Sequence, residues 1–101
     1  MEVNHVVIDA EFFEIDSLRF TPAGVAIIEF KLRHESQRVE NGISRKVECE
    51  IDAIALADLA QWIAKINVGQ QAKVLGFLAK KSHKSSRLIL HVNEIDIGRK
   101  N

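Results

Sequence analysis

A single cysteine, Cys49, excludes an intrachain disulfide and cannot by itself build a zinc–thiolate cluster. Only one proline and five glycines occur in 101 residues, too few for a fibrous or disordered chain. No apolar run approaches the roughly 18 residues that cross a bilayer, and no charged-then-apolar leader opens the chain. The expectation is a cytoplasmic protein with no membrane partner. An excess of charge of one sign is also missing, because 14 Lys and Arg balance 14 Asp and Glu. The bulk basicity of a histone-like binder is thereby excluded, and the placement of charge becomes the informative quantity.

What is present is apolar mass in alternating runs. Hydrophobic residues make up 47% of the chain, enough for one small core and one domain over residues 1–101. The organising stretch is residues 18–35. Thr21-Pro22-Ala23-Gly24 carries turn chemistry, since Pro22 pre-sets φ and Gly24 tolerates positive φ. Beyond it Ala26, Ile28, Phe30, Leu32 and His34 alternate with Glu29, Lys31, Arg33 and Glu35. Successive strand side chains point to opposite faces, so this is a long half-buried strand with one wet surface. Val25 and Ile27 interrupt the polar face near the turn, where a barrel end or an interface could cover them.

The other elements are read in the same way. Val6, Ile8, Ala10 and Phe12 alternate over residues 3–13 and define strand one, and strand two is the alternating run that follows the Thr21–Gly24 turn. Asn41-Gly42 is a strong hairpin signal, because both residues accept positive φ. Strand three follows over about residues 45–54, with Val47, Cys49 and Ile51 inward and Lys46, Glu48, Glu50 and Asp52 outward. The period then changes: Leu56, Leu59, Ile63 and Ile66 recur at helical spacing, predicting a helix over 56–65 with Trp62 covering the barrel bottom. Strand four spans 72–79, where Gly76 marks a bend or a close backbone approach. Strand five covers 88–97, and residues 97–101 form a short tail.

Five strands with one short helix between the third and fourth match a mainly β, Greek-key OB-fold barrel. An SH3-like barrel has a similar element count and stays open at this point.

The candidate chemistry is electrostatic. The loop 80–87 holds Lys80, Lys81, His83, Lys84 and Arg87 without an acidic residue among them, and serines fill much of the rest. Lys and Arg neutralise phosphates and serine hydroxyls bond them, although a solvated hairpin tip has the same composition. The outward row Glu48, Glu50 and Asp52 offers hard oxygen ligands, yet any wet strand face shows such a row. His5, His34, His83 and His91 have no metal-ligand spacing, and no catalytic triad is legible. Neither a metal nor another cofactor is expected, and no enzymatic activity.

The runs Leu18-Arg19-Phe20-Thr21-Pro22-Ala23-Gly24-Val25 and Phe30-Lys31-Leu32-Arg33-His34-Glu35-Ser36 carry a resemblance. Glu40-Asn41-Gly42 with Arg45 and Cys49, Val68-Gly69, Gly76-Phe77 and Leu90-His91 extend it along nearly the whole chain. The chain resembles the primosomal replication protein N (PriB) family, small bacterial OB-fold proteins related to single-stranded DNA-binding protein. The resemblance implies a homodimer that binds single-stranded DNA in replication restart. It implies as partners a PriA-type helicase and, where it exists, a DnaT-type protein. By matching position or by placement on the wet faces, the nucleic-acid-binding set is Arg19, Arg33, Arg45, Lys46, Lys80, Lys81, His83, Lys84 and Arg87. Two positions depart from the best-known relative: Glu48 replaces a tryptophan before Cys49, and Ile43 replaces an aromatic residue after Gly42. That pattern leaves an adaptor with weak DNA affinity as the alternative, ahead of a metal-dependent nuclease using Glu48, Glu50 and Asp52.

Overall fold

Strands with one apolar face are stable only when several bury those faces together. In a computed structural model that describes residues 2–98, they do so as a closed barrel. Its elements are β1 (Val6–Ile15), β2 (Arg19–Phe20), β3 (Ala26–Glu40), β4 (Ile43–Leu56), α1 (Ala57–Ile63), β5 (Gln71–Lys80) and β6 (Leu88–Asp96). The hydrogen-bonded order is β1-β5-β6-β4-β3-β2, and β1 closes the ring by pairing with β3 as well. Parallel pairing of β4 with β6, among otherwise antiparallel strands, completes the OB-fold topology. The five expected strands are therefore present. The short β2 is an addition: the turn at Thr21–Gly24 folds Arg19 and Phe20 back onto Ile27 and Ala26. There the Gly24 N–H donates to the Thr21 carbonyl at 2.8 Å, and Gly24 takes φ 87°.

The strand β1 serves two sheets. Residues 6–11 lie against β5, residues 11–15 against β3, and the register shifts between Phe12 and Glu14. Such a bulge bends a strand and strengthens its twist, which lets one strand turn the barrel corner. Phe12, Ile28, Leu32, Ile63, Leu90 and Val74 are the largest fully buried side chains. Each contributes roughly 1.5–3 kcal/mol on burial. Phe12 also stacks on Phe30, with centroids 5.4 Å apart.

Gly76 sits where the sequence placed a close approach. An added Cβ would lie 2.0 Å from the His91 carbonyl oxygen, so only glycine lets β5 pass β6 at this point. The helix is shorter than its period suggested. Leu56 remains in β4 opposite Ile27 and is half-exposed, while Ala60 and Ile63 enter the core. Trp62 does not cover the barrel bottom: it lies off the stripe formed by Leu59, Ala60, Ile63 and Ile66 and is 42% exposed.

Asn41 and Gly42 adopt φ 52° and 79° and close the β3–β4 hairpin between Glu40 and Ile43. This hairpin outruns the barrel. Pairing of β1 with β3 stops at Arg33, and β6 meets β4 only at Ala53 and Ile54. Beyond Leu32 and Ile51 the inner face thus has little opposite it. Cys49, expected inward, is exposed for that reason. Of the expected tail, Ile97 packs against the core, and residues 99–101 lie outside the described residues.

Candidate nucleic-acid interface

The outer face of β3 and β4 is set by their register. Glu29 lies opposite Ile54, Lys31 opposite Asp52, Arg33 opposite Glu50, Glu35 opposite Glu48 and Gln37 opposite Lys46. Acidic and basic residues are interleaved along it, and Glu35 facing Glu48 is a like-charge pair, which disfavours the pairing locally. Arg33 sits with its guanidinium carbon 3.9 Å from the centre of the Phe13 ring, a cation–π contact made possible by the β1 bulge. Arg45 has the opposite parity to Lys46 and therefore projects from the inner face of the arm, not the outer one.

The loop between β5 and β6 collects Lys80, Lys81, His83, Lys84 and Arg87 at one rim of the barrel. It is internally braced. The Lys81 N–H donates to the Arg87 carbonyl at 2.9 Å, Ser85 N–H to the Ser82 carbonyl at 3.2 Å, and Arg87 N–H to Ser85 Oγ at 2.9 Å. The Lys80 ammonium bonds the His83 carbonyl at 3.4 Å. Although the loop contains no acidic residue, β4 supplies one from outside. Asp52 Oδ2 accepts from Lys81 Nζ at 3.2 Å and from Arg87 Nη2 at 2.7 Å. The Asp52 side chain is only 16% exposed, so the loop is anchored to the outer face of β4. A carboxylate already holding two cations is a poor start for a metal site, and no metal-binding group of three acidic, His or Cys residues exists among the described residues.

Other cations are also engaged. Arg19 bonds Glu29 at 2.8 Å, Arg45 bonds Glu40, and Lys46 lies 3.8 Å from Glu48. Among the described residues, Arg33, Lys80 and Lys84 form no such ion pair. The nine candidate residues thus divide between the loop, the outer face (Arg19, Arg33 and Lys46) and the inner arm face (Arg45). Sequence reasoning missed two features. One is Asp52 as anchor of the basic loop, for which the Lys31–Asp52 neighbourhood gave no signal. The other is a stacked pair, Phe77 with His91, whose rings are 5.0 Å apart and 7° from parallel. His34 is structural: its ring nitrogens contact the Asp9 carbonyl at 2.6 Å and Ser36 Oγ at 2.9 Å.

Comparison with known proteins agrees with this architecture. A family described as "another single-strand binding protein family" matches residues 4–94. Replication restart protein PriB of Nitrosomonas europaea is 44% identical over 94 residues, covering 93% of this chain and 87% of that protein. PriB of Bordetella pertussis is 39% identical over 92 residues, covering 91% of this chain and 86% of its own. The solved structure of PriB from Ralstonia solanacearum superimposes with a TM-score of 0.85 at 32% identity, covering 94% of this chain and 97% of that one.

Proposed function

The chain belongs to the PriB family of replication restart proteins, and from that membership we propose that it is a single-stranded DNA-binding, non-enzymatic accessory protein of the primosome. DNA runs over the β5–β6 loop and the adjoining outer face of β3 and β4, with Arg19, Arg33, Lys46, Lys80, Lys81, His83, Lys84 and Arg87 along its path and Arg45 on the arm. The observation that carries this reading is the clustering of four Lys and Arg side chains in one braced loop beside the outer β3–β4 face of an OB barrel. Phosphate contacts of that kind supply affinity without reading sequence. The protein acts as a homodimer in the cytoplasm with a PriA-type helicase and, where present, a DnaT-type protein, supporting helicase loading at stalled forks. Residues 6–10 of β1 pair with β5 on one side while the β3 pairing begins only at Glu11, which supports a second copy adding to that edge. Val25 and Ile27 lie at the opposite end of β3, where Ile27 already has Arg19 of β2 and Leu56 of β4 as neighbours, so they do not belong to that edge.

A second reading has its own support. Glu48, Glu50 and Asp52 line the outer face, and Arg19, Lys46, Lys81 and Arg87 each face a carboxylate. These observations favour an adaptor that holds the helicase and binds DNA weakly. Titrating a fluorescein-labelled oligothymidine with the protein separates the two. Saturable binding that exceeds binding to a duplex of equal length supports the first reading; none, with helicase binding retained in sedimentation, supports the adaptor. Cleavage of the strand in magnesium would refute both.

A further inference from the structure

Three of the six aromatic residues have evident packing work, whereas Phe20, Trp62 and Phe77 are exposed. Phe12 and Phe30 stack in the core, and Phe13 underlies Arg33. Phe77 does not: it points outward from β5, 40% exposed, directly opposite His91 of β6. The two rings are nearly parallel, and their placement follows from Gly76, which lets the His91 backbone close onto β5. Ile54 of β4 pairs with His91, so Ile54, His91 and Phe77 form a continuous row across three strands. A cleft of about 280 Å³ opens over that row, bordered also by Leu56, Leu59 and Asn93. A second cleft shares Ile54 and His91 and continues to Lys81, Ser82, Ser85 and Arg87, with the Glu29 carboxylate also on its wall. The two clefts share Ile54 and His91, so an aromatic stack with one exposed ring, Phe77, stands at one end and two cations with hydroxyls, beside Glu29, at the other.

Those two ends have the chemistry of a nucleotide. A planar, exposed ring pair accepts any base through its π-face, while Lys, Arg and Ser bind the phosphate. We propose that Phe77 and His91 form a base-stacking site for one nucleobase of single-stranded DNA, with the neighbouring phosphate against Lys81, Arg87 and the loop serines. This inference rests on the single-strand reading above and relocates its stacking platform. Aromatic residues are missing from positions 43 and 48 on the arm, and the ring pair stands beside the basic loop instead. The alternative occupant, an apolar segment of a protein partner, would not use the cationic end.

The test compares wild type with Phe77→Leu and Phe77→Trp on oligothymidine and on an abasic strand of equal length and charge. Leucine keeps apolar bulk and removes the flat ring, so it should weaken oligothymidine binding about 5- to 150-fold, the range for loss of one stacked base. Tryptophan should restore it. The salt slope should stay unchanged in Phe77→Leu, because the phosphate contacts remain. The abasic strand should bind both variants and wild type alike. Equal oligothymidine binding by wild type and Phe77→Leu overturns the inference and leaves the single-strand reading intact. A loss accompanied by a flatter salt slope also overturns it, since the loop would then have been displaced. No binding by wild type refutes the single-strand reading itself.

Discussion

Replacing Asp52 with asparagine tests how the basic loop is held and what it touches. One oxygen, Oδ2, takes both the Lys81 ammonium at 3.2 Å and the Arg87 guanidinium at 2.7 Å. Both cations retain solvent contact, so the two pairs together stabilise the fold by only about 1 kcal/mol. The larger consequence is for DNA. Asp52→Asn removes one negative charge from the outer face and releases two cations. If each neutralises one further phosphate, the slope of log affinity against log salt steepens by about 1.4. Between about 50 and about 200 mM salt, the variant should then lose roughly sevenfold more affinity than wild type, having started tighter. Fluorescence anisotropy with labelled oligothymidine measures both quantities, and a melting curve confirms that the fold survives. Identical affinity and slope in the two proteins would refute the reasoning, showing that Asp52 does not withhold Lys81 and Arg87 from phosphates. Lys31 also lies directly opposite Asp52, so Lys31→Ala perturbs the same cluster.

The remaining expectations concern single positions. Gly76→Ala should destabilise the fold by about 1–3 kcal/mol, because the new methyl meets only backbone atoms of His91 and Val92, which cannot swing aside. A urea midpoint that does not fall would refute this packing. Glu48→Trp removes a carboxylate that faces Glu35 and adds a ring to the arm. It should tighten single-strand binding by roughly 1–3 kcal/mol if one base stacks there, and unchanged affinity would mean that the strand bypasses the arm. Cys49 should react with a disulfide-exchange reagent in native buffer, since it is exposed on the arm. Protection until the protein unfolds would contradict that position.

Local rules were enough for the elements. Alternation in residues 26–35, the Asn41-Gly42 pair, the Thr21–Gly24 turn and the helical spacing of Leu59, Ile63 and Ile66 each depend on neighbours a few residues away. They placed the strands, the hairpin and the helix within a few residues and marked Gly76 as a close approach, while the choice of an OB barrel over an SH3-like one rested on the family resemblance. Burial at the ends of elements was less legible. Periodicity assigns a face but not how far the barrel extends, so Cys49 and Trp62 were read as covered although β1 and β6 stop short of one and α1 turns away the other. The electrostatics of the candidate site depended on distant pairing altogether. Lys81 and Arg87 meet Asp52 across 29 and 35 residues of sequence, and Phe77 meets His91 through the β5–β6 register. The sequence by itself determined that cations concentrate in the loop 80–87. Only the closed barrel decided which of them face a carboxylate and which aromatic ring stands beside them, because Coulomb and stacking energies depend on distance in space, which strand register sets.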